Sequence, residues 1–551
     1  MARFNVSTAL LGVVLAFEIF ANAAAPSDSP RDADLGQSGY VGGDHNIDRD
    51  ALSQFKQLWN VTFKPEEKHY AKPLVHTLQS GKQIVFTAST ENVIRSIDAA
   101  TGEVLAERQV AQPWAMSGAR CESESRNMGI MGAPVVYPDY DIAFFYAKSY
   151  IEDYRAPGGA APAINGVYYL YAVYLETLLD VYKFPLSMDD YPADNDARRI
   201  FIGGLVLQQT SLTLVNDVVY AGFGGLCDAF NYTGTVVAIN INTRSINRWV
   251  TQAGQGSSYS DDWTLKHGGG AAGISQAGMS LASDGEDVFF AVDNGSGPLG
   301  AANSTAPIAG HTHQDILSSS AVRISLTDDG VQFVDFFRPY DVQPNGNQSI
   351  ESGGFSILEP NTFKTGSAGR LGVTGRSSKL YIHNLDNLGG YRQGANGSDG
   401  VLQTLTLDGR ISSGIGSYPL EGGYIYVNPD NAPLSAYKFT NASSNSTSAF
   451  FTLAGKSSAH SEGAGIPTVT SKNGEAGTGI VWLTDAVQGL LAYKAVPVNG
   501  SLEAVRIGGG FGGNATEVKV QGAGKYSRPV FGDGRVYVFD GLGRLVALGV
   551  R

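Results

Sequence analysis

Residues 526–550 read Tyr-Ser-Arg-Pro-Val-Phe-Gly-Asp-Gly-Arg-Val-Tyr-Val-Phe-Asp-Gly-Leu-Gly-Arg-Leu-Val-Ala-Leu-Gly-Val. Three short apolar runs, 529–531, 536–539 and 545–548, are separated by Gly532-Asp533-Gly534 and by Asp540-Gly541-Leu542-Gly543. Runs of this length between Gly/Asp turns predict three strands joined by tight turns. A meander so short cannot bury its apolar face alone, and no fourth strand follows it. The alternating stretch Phe-Lys-Gln-Leu-Trp-Asn-Val-Thr-Phe at 55–63 is the candidate to complete it, and pairing the two would close a ring.

The same pattern recurs upstream. Apolar runs at 72–76, 84–87 and 93–104 make one unit, and 133–136, 142–145 and 168–174 the next. Five further units begin near Ser211, Met279, Leu371, Tyr418 and Ile466. With the closing stretch this makes eight units of about 60 residues each, longer than ordinary blade repeats of about 40–50 and therefore rich in loops. Four-stranded units repeated radially define an all-β β-propeller, with eight blades expected. Seven is the alternative, because the unit containing Gly422 reads as irregular. Residues 167–186, rich in Tyr, Val and Leu, read as strand rather than helix. Residues 55–551 are expected to form one domain, preceded by a loosely ordered polar leader at 26–54.

Composition agrees. The chain has 551 residues, 43% hydrophobic, with 69 glycines, 25 Phe and 26 Tyr, which suits short strands and many turns. Residues 1–25 resemble a secretory signal peptide: Arg3, an apolar run from Ala9 to Phe17, then small residues at 21–25. That run is too short for a membrane anchor, and no later segment is long and apolar enough to be a membrane helix. N-x-S/T acceptors recur at Asn60, Asn231, Asn294, Asn303, Asn347, Asn396, Asn441, Asn445, Asn499 and Asn514, mostly in polar, turn-like segments. Cys121 and Cys227 are the only cysteines, an even pair that would be oxidised in that compartment. Bridged, they would close a loop of about a hundred residues; two buried thiols are the alternative. Secretion or residence in the secretory lumen follows as the expectation. A net charge of −13 without a basic run excludes nucleic acid as an expected partner.

The hairpin Val-Ile-Arg-Ser-Ile-Asp-Ala-Ala-Thr-Gly-Glu-Val at 93–104 resembles the repeat of quinoprotein-type propellers, where a strand ending in Asp meets a Thr-Gly turn. The likeness spans most of 55–550 and implies the fold. It departs from the pyrroloquinoline-quinone dehydrogenases in chemistry. Their adjacent cysteines are missing, Ala106 stands where they dock a Trp, and no Asp/Asn/Glu cluster suggests a Ca²⁺ site. No cofactor and no metal are therefore expected. In overall type the chain is similar to secreted fungal propellers such as the hetero-Diels-Alderases of tropolone-sesquiterpenoid biosynthesis, which join a reactive enone or quinone methide to an alkene. That resemblance implies a cofactor-independent cycloaddition catalyst acting on a hydrophobic small molecule in meroterpenoid biosynthesis. A quinone- or sugar-linked oxidoreductase and a non-catalytic glycan- or protein-binding propeller are the alternatives.

In a propeller, loops leading from an outer strand to the next inner strand gather around the central channel. Here they carry Trp114 and Arg120, then Tyr259, Trp263 and His267, then His460, then Lys525 and Tyr526. Trp114, Trp263, Tyr259 and Tyr526 are expected to wall an apolar pocket, with Arg120, His267, His460 and Lys525 donating to a ligand carbonyl. A cycloaddition needs alignment and one polarised carbonyl, not a nucleophile. His311 and His313 with Asp315 lack a third ligand for a metal site. Gly508–Gly513 lacks the following helix of a phosphate loop. His383 reads as a satisfied core histidine on an inner strand.

Overall fold

The computed structural model describes residues 28–43, 45–120, 125–151, 163–253, 257–295, 317–342, 353–441, 450–460, 465–508, 520–523 and 526–550. Blade 1 shows how the repeat becomes structure. Leu74–Thr77, Gln83–Ala88, Val93–Asp98 and Val104–Gln109 pair antiparallel in sequence order, from the axis outward. At its Thr-Gly turn the Asp98 carboxylate accepts the amides of Ala100 and Thr101, both at 2.9 Å. Gly102 has φ +78°, and its missing side chain leaves room for the Trp59 ring, which would lie 2.7 Å from a Cβ there.

Trp59 belongs to the ring closure. Lys56–Thr62 pairs antiparallel with Arg544–Gly549, from Lys56 opposite Gly549 to Thr62 opposite Arg544, with a bulge after Gln57. The N-terminal strand is thus the outer strand of blade 8, whose other three are Val530–Gly532, Arg535–Phe539 and Arg544–Gly549. The Trp59 indole donates to the carbonyl of Ala99 at 3.1 Å, docking blade 8 on blade 1.

The chain forms an eight-bladed β-propeller. Blades 2 to 7 have their inner strands at Val135–Tyr137, Thr213–Val215, Ala282–Ser283, Phe355–Ile357, Gly416–Tyr418 and Thr468–Thr470. The core is divided into layers, one between each pair of neighbouring blades, such as Val85, Ile97, Tyr537 and Leu545 between blades 1 and 8. Phe86 and Phe145 tilt together at 6.2 Å between blades 1 and 2, and Trp249 meets Phe290 edge-on at 6.1 Å between blades 3 and 4. Because each blade buries both faces, its strands read as apolar runs rather than alternating ones. Residues Gly166–Tyr174 form a strand, as expected.

Four expectations need correction. In blade 5 the run Leu371–Arg376 is the second strand, not the first; Phe355–Ile357 lies inside it. His383 is accordingly on the third strand, although it is the satisfied core histidine expected. It is fully buried, with Nε2 2.8 Å from Thr374 Oγ1 and Nδ1 3.0 Å from the Leu388 carbonyl, and burial lowers its pKa to about 4. The blade containing Gly422 is regular: Glu421, Gly422 and Gly423 all take positive φ in its first turn. Blade 7 is the irregular one, with three antiparallel strands and, among the described residues, only bridge-like contacts from 501–505 at its outer edge.

The fourth correction is the leader: its residues 28–43 lie along the inner strands of the central channel instead of lying loose, and Leu52 packs with Phe55 and Trp482 beside blades 7 and 8. Defining the face that carries the loops into the inner strands as the top, residues 28–30 run upward beside blade 1, with Ser29 and Val75 exchanging both backbone hydrogen bonds. The segment turns at Asp34–Gly39, where the Asp34 carboxylate accepts from Ser38 Oγ and the Gly39 amide. It descends at Tyr40–Val41, parallel to Val469–Thr470 of blade 7. Sequence reading missed it because its grip is made by backbone groups and carboxylates, which leave no apolar signature.

Candidate functional site

On the top face of blade 3, three loops meet: 188–212 from blade 2, 226–234 within blade 3, and 251–281 leading to blade 4. The first carries the hairpin Pro192–Ala193/Asp196–Ile200, which packs against the outer strand Ile246–Val250 through Asp194 N donating to the Arg248 carbonyl at 2.6 Å. Between them lies a cavity of about 190 Å³ walled by Phe201, Tyr232, Tyr259 and Trp263, with Arg198, Arg199 and Arg248 among its lining groups. A void of 150 Å³ admits benzene, so the space holds one small ring or the reacting end of a larger molecule.

Its three arginines differ. Arg198 is bidentate to Asp196, at 2.9 and 2.7 Å, and stacks over the Tyr259 ring at 5.1 Å. Arg199 is spent on Thr233 Oγ1, Gly269, Ser257 and Ser258. Arg248, 3% exposed, donates only through one terminal nitrogen, to the carbonyls of Tyr191 and Arg199. Its Nε is buried without a partner, and no carboxylate lies within ion-pair distance of it among the described residues. Burial, then the neighbouring Arg199 charge, lowers its pKa to about 9. Tyr259 donates to Asp261 at 2.7 Å, which raises its pKa. The cavity therefore combines aromatic walls with a poorly neutralised guanidinium, the environment in which an electron-rich ligand oxygen is held most strongly.

Four of the sequence-predicted residues gather here. Trp263 stacks on Phe230 at 6.2 Å, the Arg120 guanidinium lies 5.1 Å from the same ring, and the His267 amide donates to the Phe230 carbonyl. Tyr259 and Trp263 line the cavity itself. Trp114 walls no open pocket: it is fully buried, and its indole packs 4.5 Å from the Lys148 ammonium. His460 ends the exposed outer strand Phe451–His460 of blade 6, away from blade 3. Tyr526 stands at the channel mouth, with Gly278 of the blade 4 loop so close that a Cβ would lie 2.0 Å from the Tyr526 carbonyl oxygen. Lys525 and Cys121 lie outside the described residues, as do Asn303, Asn347, Asn445, Asn514 and the His311–Asp315 segment. Asn60, Asn396, Asn441 and Asn499 are exposed. Asn294 accepts from Ser319 Oγ, and Asn231 lines the cavity with its amide donating to Ser260 and Asp262.

Sequence reading missed Arg248. In Ile-Asn-Arg-Trp-Val at 246–250 an outer-strand arginine reads as a solvated charge, and only the long-range hairpin at 192–200 covers it.

The chain's likenesses to known proteins are to solved structures and concern architecture. No protein-family model and no curated protein matches it. Among solved structures it is similar to a quinohemoprotein alcohol dehydrogenase from Pseudomonas putida HK5, at 13% identity over 96% of this chain and 80% of that one, TM-score 0.58. It is also similar to a europium-containing methanol dehydrogenase, at 11% identity over 95% and 98% of the two chains, TM-score 0.53. At these identities the likeness is one of fold.

A metal-assisted quinone does not fit the described residues on this axis. The blade 4 and blade 8 loops touch at Gly278 and Tyr526, and the Met279 sulfur occupies the gap between Gly354 and Gly414. No group of three His, Cys, Asp or Glu that could hold a metal occurs among the described residues.

Proposed function

We propose that this protein is a secreted, glycosylated propeller that catalyses a cofactor-independent cyclisation or cycloaddition of a hydrophobic metabolite, of the hetero-Diels-Alder type. The observation that carries the reading is Arg248, a buried guanidinium with an uncommitted N–H group, beside a cavity with aromatic walls. An enone or quinone-methide carbonyl bound there would accept from Arg248, lowering the energy of its electron-poor π system. Trp263, Tyr259 and Phe201 would hold the ring in register with its alkene partner. No proton or electron leaves either partner in such a step, so it needs neither base nor redox group.

The signal-like residues 1–25 and the exposed sequons support passage through the secretory pathway. There Cys227, which is not a free thiol, would pair with Cys121 and tie a cavity-forming loop to the loop before blade 2.

Deleting the gene and profiling metabolites tests the reading. Unjoined precursors should accumulate, and their conversion by the purified protein should fall at least tenfold in Arg248→Met. An unchanged profile would sink the proposal. A quinone absorption band in the purified protein would move it to the oxidoreductases.

A further inference from the structure

The segment in the channel is bound as a ligand would be. Along its length the inner-strand amides of Val75, Val136, Ser283, Ile357 and Val469 donate to the carbonyls of Ser29, Pro30, Leu35, Gly36 and Gly39, at 2.7–3.0 Å. These five amides come from blades 1, 2, 4, 5 and 7 and lie on strand edges that face the axis, unpaired by their own blades. A backbone grip of this kind reads the path of the chain rather than its side chains, and at Tyr40–Val41 it includes strand addition to the edge of blade 7.

Charge makes it selective. Asp28 Oδ2 lies 3.4 Å from His76 Nδ1 and Asp32 Oδ1 lies 3.5 Å from Lys72 Nζ. Arg528 takes its charge compensation from Asp32 and Asp34. His76, Lys72 and Arg528 all belong to the ring and are all buried; the three carboxylates all belong to the inserted segment. Among the described residues, the Lys72 ammonium and the Arg528 guanidinium find their opposite charges on the insert alone. Beside the insert a cavity of about 270 Å³ remains, bounded by residues 28–35 and 40–43 and by Lys72 and Phe531, so the seat is not closely packed.

We propose that the channel is a recognition site for an acidic peptide that folds back on itself, and that Asp28–Val41 is its occupant in cis. The ring closes without the insert, through the pairing of residues 56–62 with the last strand of blade 8. An acidic segment of another protein with carboxylates in the spacing of Asp28, Asp32 and Asp34 would take the same cations and the same five amides. This inference is independent of the blade 3 cavity.

The test uses the full chain with a protease site inserted between Gly42 and Gly43, cut after folding. A labelled synthetic peptide of residues 28–42 should exchange into the cut protein. Its counterpart with Asp28→Asn, Asp32→Asn and Asp34→Asn should bind at least tenfold more weakly, and Lys72→Met in the ring should cost the native peptide a similar factor. No uptake, or equal uptake of the neutral peptide, overturns the proposal. Hydrogen exchange on the uncut protein keeps it falsifiable if cutting unfolds the ring. The Gly39 and Val469 amides should exchange faster than those of Val85 and Ile97 in blade 1; equal protection would make the insert a fixed part of the core.

Discussion

Two regions of this propeller bury cations, and they solve the problem differently. In the channel, Lys72 and Arg528 meet carboxylates supplied by the chain's own N-terminal segment. In the blade 3 cavity, Arg248 meets two carbonyl oxygens, and the nearby Asp196 is already engaged by Arg198. A buried charge that is matched is structure; one left partly unmatched beside an open space is poised for a ligand. The channel, where a propeller's ligand is usually sought, is matched in charge although, among the described residues, Arg528 Nε and Nη2 and Asp32 Oδ2 keep no hydrogen-bond partner; at the rim Arg248 has no carboxylate at ion-pair distance among the described residues.

The largest effect is expected from unmatching the channel. Asp32→Ala with Asp34→Ala leaves Lys72 and Arg528 buried without counter-charge, and breaking one side of a buried pair costs about 3–5 kcal/mol. The double variant should lose several degrees of Tm at least, and adding Lys72→Met should recover part of that loss. Recovery by the triple variant, read in denaturant melts, separates charge mismatch from lost packing. Without recovery, the contrast between the two regions fails.

A smaller effect on stability, but a larger one on ligand, is expected at the rim. Trp263→Ala removes a stacked wall of the cavity that is partly exposed, so its cost in stability should stay below the roughly 3–5 kcal/mol of a fully buried aromatic. Substrate affinity should nevertheless fall at least tenfold, about 1.4 kcal/mol. Arg248→Lys should restore less than half of the binding lost in Arg248→Met, because a point charge cannot donate in the geometry of the guanidinium fork. Titration of substrate or a carbonyl-bearing analogue into each variant gives these ratios.

How far the sequence led follows from what each feature is made of. Ring closure was legible in 55–63 and 526–550, because alternation and Gly-Asp-Gly turns are local signals. Tyr259, Trp263, Arg120 and His267 lie near one another because they share the loop system around Phe230. Arg248 did not, since its burial depends on a hairpin some fifty residues earlier. Trp114 was misread because an aromatic in a loop gives no sign that a lysine will pack beneath it; Lys148 itself lies fully buried in a strand of blade 2. The channel segment was read as loose because its residues are polar, while the groups that order it, inner-strand amides and three ring side chains, are spread across 72–528.

The finest test of the matched region is its pH dependence at the Asp28–His76 contact. Burial works against the charged imidazole, but the carboxylates of Asp28, 3.4 Å from Nδ1, and Asp141, 2.7 Å from Nε2, outweigh it, and the His76 pKa rises above the ordinary 6.5. This contribution is fully present below 6.5 and is lost as pH climbs through the raised value. Burial likewise opposes the Asp28 charge, yet hydrogen bonds from His76, Thr77 and Gln83 prevail and its pKa falls below the ordinary 3.8. That contribution is present above 3.8 and disappears as pH drops through the lowered value. The contact is therefore strongest between about pH 4 and 6.5. Asp28→Asn should lower Tm most within that window and progressively less on either side, since the amide oxygen of the substituted side chain can still accept from Thr77 and Gln83 but carries no charge for His76. Melting curves for both proteins from about pH 3 to 9 decide it. A constant difference across the range would mean that Asp28 anchors the segment by hydrogen bonding alone, and that charge begins to select the channel's occupant only at Lys72.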